Sequence, residues 1–354
     1  MVSVMRFGGL MAAFVSQAAA CGGSVEKDSH GPAPTNAVDP LPRCNPDSSW
    51  RGDERCLPPL AAAAGFSLHY GPDSYSDAAA ARFLLEPGAE RIDCVTLDAP
   101  RAETAFVERW QARARPGTYN FSVLAGAPGI DPCRDARARL LLVSTDEELD
   151  LLVGDAPELV GSAIRVAAGE PLGIQLHAIN IGETPLLREV WVNAYTRPAA
   201  SVSRVVDTFA WIAPPEPNAV SGVHSRPSAE LTMPARTELL AISGTLHVYS
   251  AALSAWVGEG SDQKLLFSMR FTSQRHFFRF DSVRSNPLPN LPDEPAGAWS
   301  GPVVLPPGTP LRFDCQYDAP DSWNEQPQHL AVTPCALMGW YAPSTGHWVS
   351  SDAI

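Results

Sequence analysis

Apolar and polar residues alternate along short stretches of this chain. In the stretch 172–180 (LGIQLHAIN) one face is apolar, and His177 falls on the opposite face. The stretch 239–249 (LLAISGTLHVY) predicts a second strand, in which His247 shares a face with Thr245. A period of two residues is that of a β-strand with one buried face, because successive side chains point to opposite sides of a sheet. Each of the two strands therefore presents one imidazole.

A turn that contains proline and glycine precedes several of these strands. The segments 169–177 (GEPLGIQLH) and 308–315 (GTPLRFDC) share the pattern G-x-P-L-x-(I/F) and lie 139 residues apart. Proline presets the first turn residue, and glycine adopts the positive φ that ends the turn. The repeat predicts two similar halves that meet near residues 197–218, where several prolines interrupt the pattern.

The composition agrees with a fold of short strands. Of the 354 residues, 34 are proline and 26 are glycine. Proline breaks helices because it lacks an N–H and its ring clashes with the preceding turn, so only segments 76–85 and 146–152 predict short helices. We expect an all-β fold of two tandem antiparallel β-sandwich (jelly-roll-like) domains, residues 59–198 and 199–354, with few short helices.

The first residues are typical of a bacterial export signal. A short apolar stretch follows Arg6, and three alanines precede Cys21. Residues 1–21 therefore predict a lipoprotein-type signal peptide with Cys21 as the lipidated residue; the alternative is ordinary cleavage after Ala20, which leaves a free exported protein. Residues 22–58 predict a flexible tether and an N-terminal disulfide segment. We expect a lipid-anchored protein of the bacterial outer membrane or periplasm.

Charge and hydrophobicity exclude two further classes. The net charge is −13, 18% of the residues are charged and 45% are hydrophobic. A chain this apolar and weakly charged is not intrinsically disordered. Binding to a phosphate backbone needs clustered Lys and Arg, so we expect no nucleic-acid partner. The expected partners are the membrane, through the lipid anchor, and an unidentified protein or small molecule.

Six cysteines remain after Cys21, and no C-x-x-C motif is present. They are Cys44, Cys56, Cys94, Cys133, Cys315 and Cys335. An even number in an exported protein indicates disulfides, although six cysteines allow 15 pairings. The simplest arrangement joins neighbours, as 44–56, 94–133 and 315–335. The alternative is that some of these cysteines are free and buried.

Several short motifs together resemble the copper type II, ascorbate-dependent monooxygenases, the family of peptidylglycine α-hydroxylating monooxygenase and dopamine β-monooxygenase. The motifs are 113–120 (RARPGTYN), 172–180, 245–247 (TLH), 315–318 (CQYD) and 334–335 (PC). The resemblance runs from about residue 66 to residue 341. It implies two β-sandwich domains, each holding one copper across a solvent-filled cleft. It also implies a disulfide between Cys315 and Cys335, and places Cys94 and Cys133 on either side of the motif at 113–120.

Most of the copper ligands that the resemblance implies are absent. The family's His-His pair falls on Tyr119 and Asn120, and its third histidine falls on His177. Its His-x-His falls on Thr245 and His247, and its methionine falls on Pro334. Copper prefers imidazole and thioether ligands, so His177 and His247 are the residual metal positions. Met338 and His329 are the nearest residues that could substitute.

Two functions follow from this pattern. The first is a non-catalytic exported lipoprotein, a pseudoenzyme that binds a ligand or partner through the former active-site cleft, with no cofactor, or copper if any. The alternative is an active copper-dependent monooxygenase with an altered or single-metal site that depends on His177 and His247. In the family, one copper delivers electrons and the other binds dioxygen, so the loss of both sites would abolish hydroxylation.

Overall fold

The structure is a computed structural model, and it describes most of the chain from residue 47 onward. The described ranges are 47–97, 100–135, 138–144, 147–153, 159–212, 222–232, 235–246, 250–270, 276–279, 303–319 and 335–343. The predicted signal peptide with Cys21, and also Cys44, His247, His329 and Pro334, lie outside these ranges. In the described part of the chain, no helix has the length and apolar character needed to cross a membrane.

The expected all-β fold of sandwich type is confirmed. The first half of the described chain contains eleven strands and one short helix. They are β1 (Gly65–Tyr70), α1 (Asp77–Ala80), β2 (Leu84–Leu85), β3 (Glu90–Leu97), β4 (Ala105–Ala114), β5 (Thr118–Ala125), β6 (Arg139–Ser144), β7 (Glu148–Leu152), β8 (Ser162–Val166), β9 (Leu172–Ile179), β10 (Leu186–Leu187) and β11 (Val190–Thr196). Short 3₁₀ turns occupy Asp53–Arg55 and Ala81–Phe83 in this half.

The second half contains nine described strands. They are β12 (Arg204–Ile212), β13 (Gly222–Thr232), β14 (Thr237–Leu246), β15 (Ser250–Val257), β16 (Lys264–Arg270), β17 (His276–Arg279), β18 (Val303–Leu305), β19 (Pro310–Ala319) and β20 (Cys335–Ala342). Two further 3₁₀ turns occupy Ala199–Ser201 and Gly260–Asp262.

One of the two predicted helices is wrong. Segment 76–85 does contain α1 and a 3₁₀ turn before β2. The described part of segment 146–152 instead forms β7, which pairs antiparallel with β4. The reason is its period: Leu151 is buried and Leu149 packs on the core, while Glu148 is exposed. Alternation of this kind buries one face of a strand, and the open edge of β4 supplies the backbone partner.

Each half pairs its strands in the same order. In the first half a four-stranded sheet runs β3-β9-β5-β6, and in the second half another runs β13-β19-β15-β16. The strands that face these sheets also correspond. In the first half their order is β1-β11-β4, and β7 and β8 pair with β4. In the second half their order is β12-β20-β14, and β17 and β18 pair with β14. The repeated turn motif marks equivalent places, since Gly169 (φ 74°) precedes β9 and Gly308 (φ 80°) precedes β19.

Two cores lie between these sheets. In the first, Trp110 and Val192 from one sheet pack with Phe121 and Leu176 from the other, all fully buried. In the second, side chains from β12, β14 and β20 pack with side chains from β15 and β19. They are Phe209, Trp211, Leu239, Ile242, Leu253, Ala255, Leu311, Phe313, Leu337 and Tyr341. The predicted apolar face of β9 is therefore confirmed as a core face.

Strand β12 joins the two halves into one continuous sheet. Its first residues, Arg204–Val206, pair in parallel with β8, and Asp207–Ile212 pair antiparallel with β20. Strand β20 is buried on both faces, because Leu337 and Tyr341 enter the second core while Met338 and Trp340 enter the first. The predicted domain boundary between residues 198 and 199 stays a prediction.

One of the simplest cysteine pairings is confirmed. Cys94 on β3 and Cys133 form a disulfide. Cys56 and Cys315 are also disulfide-bonded. The pairings of Cys56 with Cys44 and of Cys315 with Cys335 stay predictions.

Candidate functional site

Strand β9 places His177 on the face of its sheet that points away from the core. Ile92 on β3 lies directly beside it on one side, and Asn120 on β5 lies beside it on the other. A register shift in β5 between Thr118 and Asn120 leaves Tyr119 at the irregular position. Because β9 is the central of these three strands, its outward side chain has neighbours on both sides.

The side chains of Glu90, Tyr119, Asn120 and His177 converge at this point. The Nε2 atom of His177 lies 2.6 Å from Oε1 of Glu90. Its Nδ1 atom lies 3.5 Å from Nδ2 of Asn120, a long contact. The ring of Tyr119 lies 4.8 Å from the imidazole, centroid to centroid. Together these neighbours leave His177 only 5% exposed.

The contacts define what the imidazole does here. With Nε2–H donating to the Glu90 carboxylate, Nδ1 is left as the acceptor for the Asn120 amide. Both ring nitrogens are thereby engaged, so a metal ion would have to displace one of these partners. The groups around the imidazole that could act as metal ligands are a carboxylate and an amide. They do not match the imidazole and thioether ligands that copper prefers. In the described residues, no three His, Cys, Asp or Glu side chains are grouped to hold a metal ion.

The residues that the resemblance assigns to a second metal position are mostly outside the description. His247 and Pro334 lie in segments that are not described, and so does His329, a possible substitute; Thr245 lies on β14. Met338 belongs to β20, where its side chain is 8% exposed and packs with the first core. Its thioether is therefore part of the apolar packing between the halves.

A buried ion pair that the sequence did not reveal lies near β4. Arg115 is fully buried, and its Nε donates to Oε2 of Glu189 at 2.6 Å, whose side chain is also fully buried. The remaining guanidinium nitrogens contact the segment before β1. The acceptors are Trp50 O at 3.1 Å, Arg51 O at 3.0 Å, Ser48 Oγ at 3.2 Å and Asp53 Oδ1 at 2.7 Å. This one side chain fixes the last part of the predicted tether segment, from residue 48 on, to the first sandwich.

The other oxygen of Glu189 contacts Tyr75 and His69. Its Oε1 atom accepts a hydrogen bond from Tyr75 at 2.8 Å and lies 2.8 Å from Nε2 of His69, whose side chain is 37% exposed. Gly71 permits this approach, because a Cβ there would lie 2.7 Å from His69 Nε2 and 2.6 Å from Glu189 Cγ. His69 also stacks on Trp191 at 6.0 Å.

A second buried arginine, Arg188, directly precedes Glu189 in the sequence. Arg188 contacts Asp93 and donates to Tyr70 Oη at 3.1 Å. Burial raises the pKa of Tyr70 to about 12. Burial would also raise the pKa of Asp93, but the hydrogen bonds from Arg188 and Tyr70 outweigh it and hold the pKa below 3.8. Asp53 behaves in the same way, since its hydrogen bonds from Ser48 and Arg115 lower its pKa despite burial.

A sequence signal for these pairs exists in hindsight. Arg188 and Glu189 interrupt the otherwise apolar run 186–192 (LLREVWV). Charged residues are rarely buried without partners, so two adjacent charges between apolar residues indicate buried ion pairs. The partners Arg115 and Asp93 are too distant in sequence to be identified in this way.

Comparisons with known proteins give no family. No protein-family profile matches the chain, and no curated protein matches it. Among solved structures, recombinant peptide:N-glycanase F (PNGase F) matches over 78% of this chain and 94% of its own, with 8% identity and a TM-score of 0.26. At that score the likeness carries no argument about fold or function.

The first prediction concerns Arg115. Substituting Arg115→Ala leaves Glu189 buried without its cation, so the free energy of unfolding should fall by about 3–5 kcal/mol. The matched control is Arg113→Ala, two residues earlier in β4, whose partner Glu148 has a side chain that is 58% exposed; its loss should cost less than about 1 kcal/mol. Urea unfolding followed by tryptophan fluorescence measures both. Equal losses in the two variants would contradict the role given to Arg115.

A second prediction concerns acid stability. In the folded protein the pKa values of Asp53 and Asp93 lie below their ordinary value of 3.8. At a pH between the folded and the ordinary values, these carboxyl groups bind more protons in the unfolded chain than in the folded protein. The contribution of these two carboxylates to the free energy of unfolding is therefore complete above that pH range and is lost as the pH falls through it. Asp93→Asn should lower the free energy of unfolding at pH 7 by about 2 kcal/mol and flatten its fall toward low pH. Urea unfolding over a pH series tests this, and an unchanged slope in the variant would refute it.

Proposed function

We propose that this protein is a non-catalytic binding protein built on a double sandwich like that of the copper type II monooxygenases. It is exported, anchored by a lipid on Cys21, and binds a ligand or protein partner at the former active-site cleft. In the described part of the chain, that surface is the sheet face that carries Tyr119, Asn120 and His177.

The observation that carries the proposal is the contact of the His177 imidazole with Glu90 and Asn120. Hydroxylation of the family's kind depends on copper held by several histidines in each sandwich. Here the only described histidine of the implied set contacts Glu90 at 2.6 Å and Asn120 at 3.5 Å. A buried imidazole that is hydrogen-bonded to a carboxylate stabilises the sheet, as expected of a buried polar group.

The competing function is an oxidoreductase with a single altered metal site. It would require copper to replace Glu90 or Asn120 at His177, with help from His247. This alternative predicts that the protein binds copper in a stoichiometric amount and that binding depends on His177. A measurement of copper content therefore distinguishes the two functions.

The third prediction therefore measures metal and stability together. The purified protein is incubated with copper and ascorbate, desalted, and assayed for copper by mass spectrometry and for ascorbate-dependent oxygen consumption. We expect no stoichiometric copper and no oxygen consumption above buffer. His177→Ala should leave the copper content and the oxygen consumption unchanged. It should lower the free energy of unfolding by about 1–3 kcal/mol, because the partners of the imidazole lose their hydrogen bonds.

The matched control is His69→Ala. This histidine also contacts a carboxylate, Glu189, but belongs to β1 in the other sheet. About one copper ion per chain, lost in His177→Ala and kept in His69→Ala, would overturn the proposal in favour of the oxidoreductase.

The fourth prediction concerns the anchor. Expression in a bacterium with labelled palmitate should give a labelled, membrane-bound protein, because the thiol of Cys21 receives the lipid. Cys21→Ala should abolish the label. A labelled Cys21→Ala protein, or an unlabelled wild-type protein, would contradict the anchor and favour cleavage after Ala20.

A further inference from the structure

Strand β3 forms one edge of the first sandwich, and no other strand in the described part of the chain pairs with its outer side. It is the first strand of the sheet β3-β9-β5-β6, so its described strand partner is β9 alone. None of its eight residues is buried, although Asp93, Val95 and Leu97 lie opposite buried residues of β9. Ile92 is 61% exposed and Val95 is 37% exposed. An unpaired strand with exposed apolar side chains is a template for pairing with another chain.

The backbone hydrogen bonds show which residues of β3 face the open edge. The N–H of Asn180, directly after β9, donates to the carbonyl oxygen of Ala89, directly before β3, at 2.9 Å. In an antiparallel sheet the N–H and C=O groups of one residue point to the same side, and successive residues alternate. The odd-numbered residues of β3 therefore bond to β9, as Ala89 does. The even-numbered residues 90, 92, 94 and 96 point their N–H and C=O groups to the open edge.

The second half of the chain protects the equivalent edge, whereas the first half does not. By the order of the sheets, β13 corresponds to β3. The pairing of β13 with β19 shifts register between Pro227 and Glu230, and a proline has no N–H to offer a neighbouring strand. Strand β3 contains no proline or lysine, and its pairing with β9 is regular over all eight residues. Bulges, prolines and lysines are the devices that prevent edge pairing, so β3 has the form of a strand that accepts a partner.

The charges of β3 indicate that the partner is a second copy of the same strand. The Nε atom of Arg91 lies 3.0 Å from Oδ1 of Asp93, and the two side chains are 53% and 25% exposed. Within the described residues Arg91 uses only this nitrogen, so its other donors are available to the carboxylate of another chain. Opposite charges two residues apart on one face make the strand complementary to itself when it is reversed.

The same charges select one register. In a symmetric antiparallel pair the residue at the twofold axis faces its own copy, and its neighbours face each other across the axis. With Ile92 at the axis, Arg91 of each copy lies opposite Asp93 of the other, and the two exposed Ile92 side chains meet on the other face. An axis at Arg91 or at Asp93 would place like charges directly opposite, which is destabilising. An axis at Cys94 would place Asp93 opposite Val95, so the axis at Ile92 fits best.

We propose that this protein forms a symmetric dimer in which the β3 strands of two copies pair antiparallel about Ile92. The sheet β3-β9-β5-β6 of each copy then becomes half of one continuous sheet. Ile92 lies directly opposite His177 on β9, so the His177 residues of the two copies fall on one row, three strand spacings or about 14 Å apart. The two surfaces that carry Tyr119, Asn120 and His177 thereby form one face. The dimer itself does not depend on what those surfaces bind.

The experiment is sedimentation velocity of the purified full chain over a series of protein concentrations. The chain carries Cys21→Ala, so that no lipid contributes to association. We expect a reversible equilibrium between a monomer and a dimer of twice its mass. Hydrogen exchange in peptides that cover residues 90–97 should be slower at concentrations where the dimer predominates, because the outward N–H groups of β3 then donate to the second copy.

Variants in the same background test the backbone pairing and the register. Ile92→Pro removes the N–H that faces the second copy and no bond to β9. Because the axis makes each bond occur twice, dimerisation should weaken at least about tenfold. Arg91→Glu places like charges opposite each other at two points and should weaken dimerisation to a similar extent, whereas Arg91→Lys keeps the charge and should still dimerise.

The matched pair of variants replaces an exposed apolar residue with lysine. Ile92→Lys places two ammonium groups at the axis and should give a monomer, and since Ile92 is exposed, this variant tests the interface even if Ile92→Pro fails to fold. Val160→Lys, at a side chain that is 65% exposed and precedes β8, should dimerise as before. The inference is overturned if the protein is monomeric at every concentration, if a dimer forms without slower exchange in β3, or if Ile92→Lys and Arg91→Glu behave like Val160→Lys. None of these outcomes changes the expected copper result.

Discussion

The buried ion pair between Arg115 and Glu189 is the interaction on which the first sandwich depends. Arg115 directly follows the long strand β4 and begins the turn into β5, and its backbone N–H also donates to the carbonyl oxygen of Glu189 at 3.0 Å. Its carbonyl oxygen accepts from Thr118, which starts β5. The turn between the two sheets is thus fixed at both ends, and the position of Tyr119 and Asn120 against His177 follows from it. Burying such a charge is tolerable only because its donors are used.

The second constraint is the sharing of strand β12. A sandwich normally ends at an exposed edge, which invites unwanted pairing. Here the edge of the first sandwich at β8 is covered by the start of β12, and the rest of β12 belongs to the second sandwich. Trp340 on β20 then fills space in the first core from the other half. A pocket on this strand is lined by residues of both halves, among them Arg165, Arg204 and Glu238.

Local patterns in the sequence predicted the local structure well. The alternation in 172–180 gave the correct faces of β9, and the repeated turn correctly indicated two halves of similar topology. The error at β7 arose because a five-residue segment with charges suits a solvated helix as well as an edge strand, and only the open edge of β4 decides between them. The ion pairs of Arg115 and Arg188 join residues more than sixty positions apart, so no local pattern identifies them. The pocket at β12 depends on how four strands meet, which a linear pattern does not encode.

The internal repeat separates what the fold requires from what the site requires. The equivalent of His177, 139 residues later, is Gln316 on β19, which also occupies the second position of its sheet. Its register neighbours are Ser225 on β13 and Ala252 on β15, where the first half has Ile92 and Asn120. Gln316 is exposed, whereas His177 is buried by its partners. The turn glycines and the strand order are thus repeated in both halves, while Gln316 stands where the first half has His177. The shared strand order therefore does not require a histidine at this position, and the binding surface that we propose lies on the half that has one.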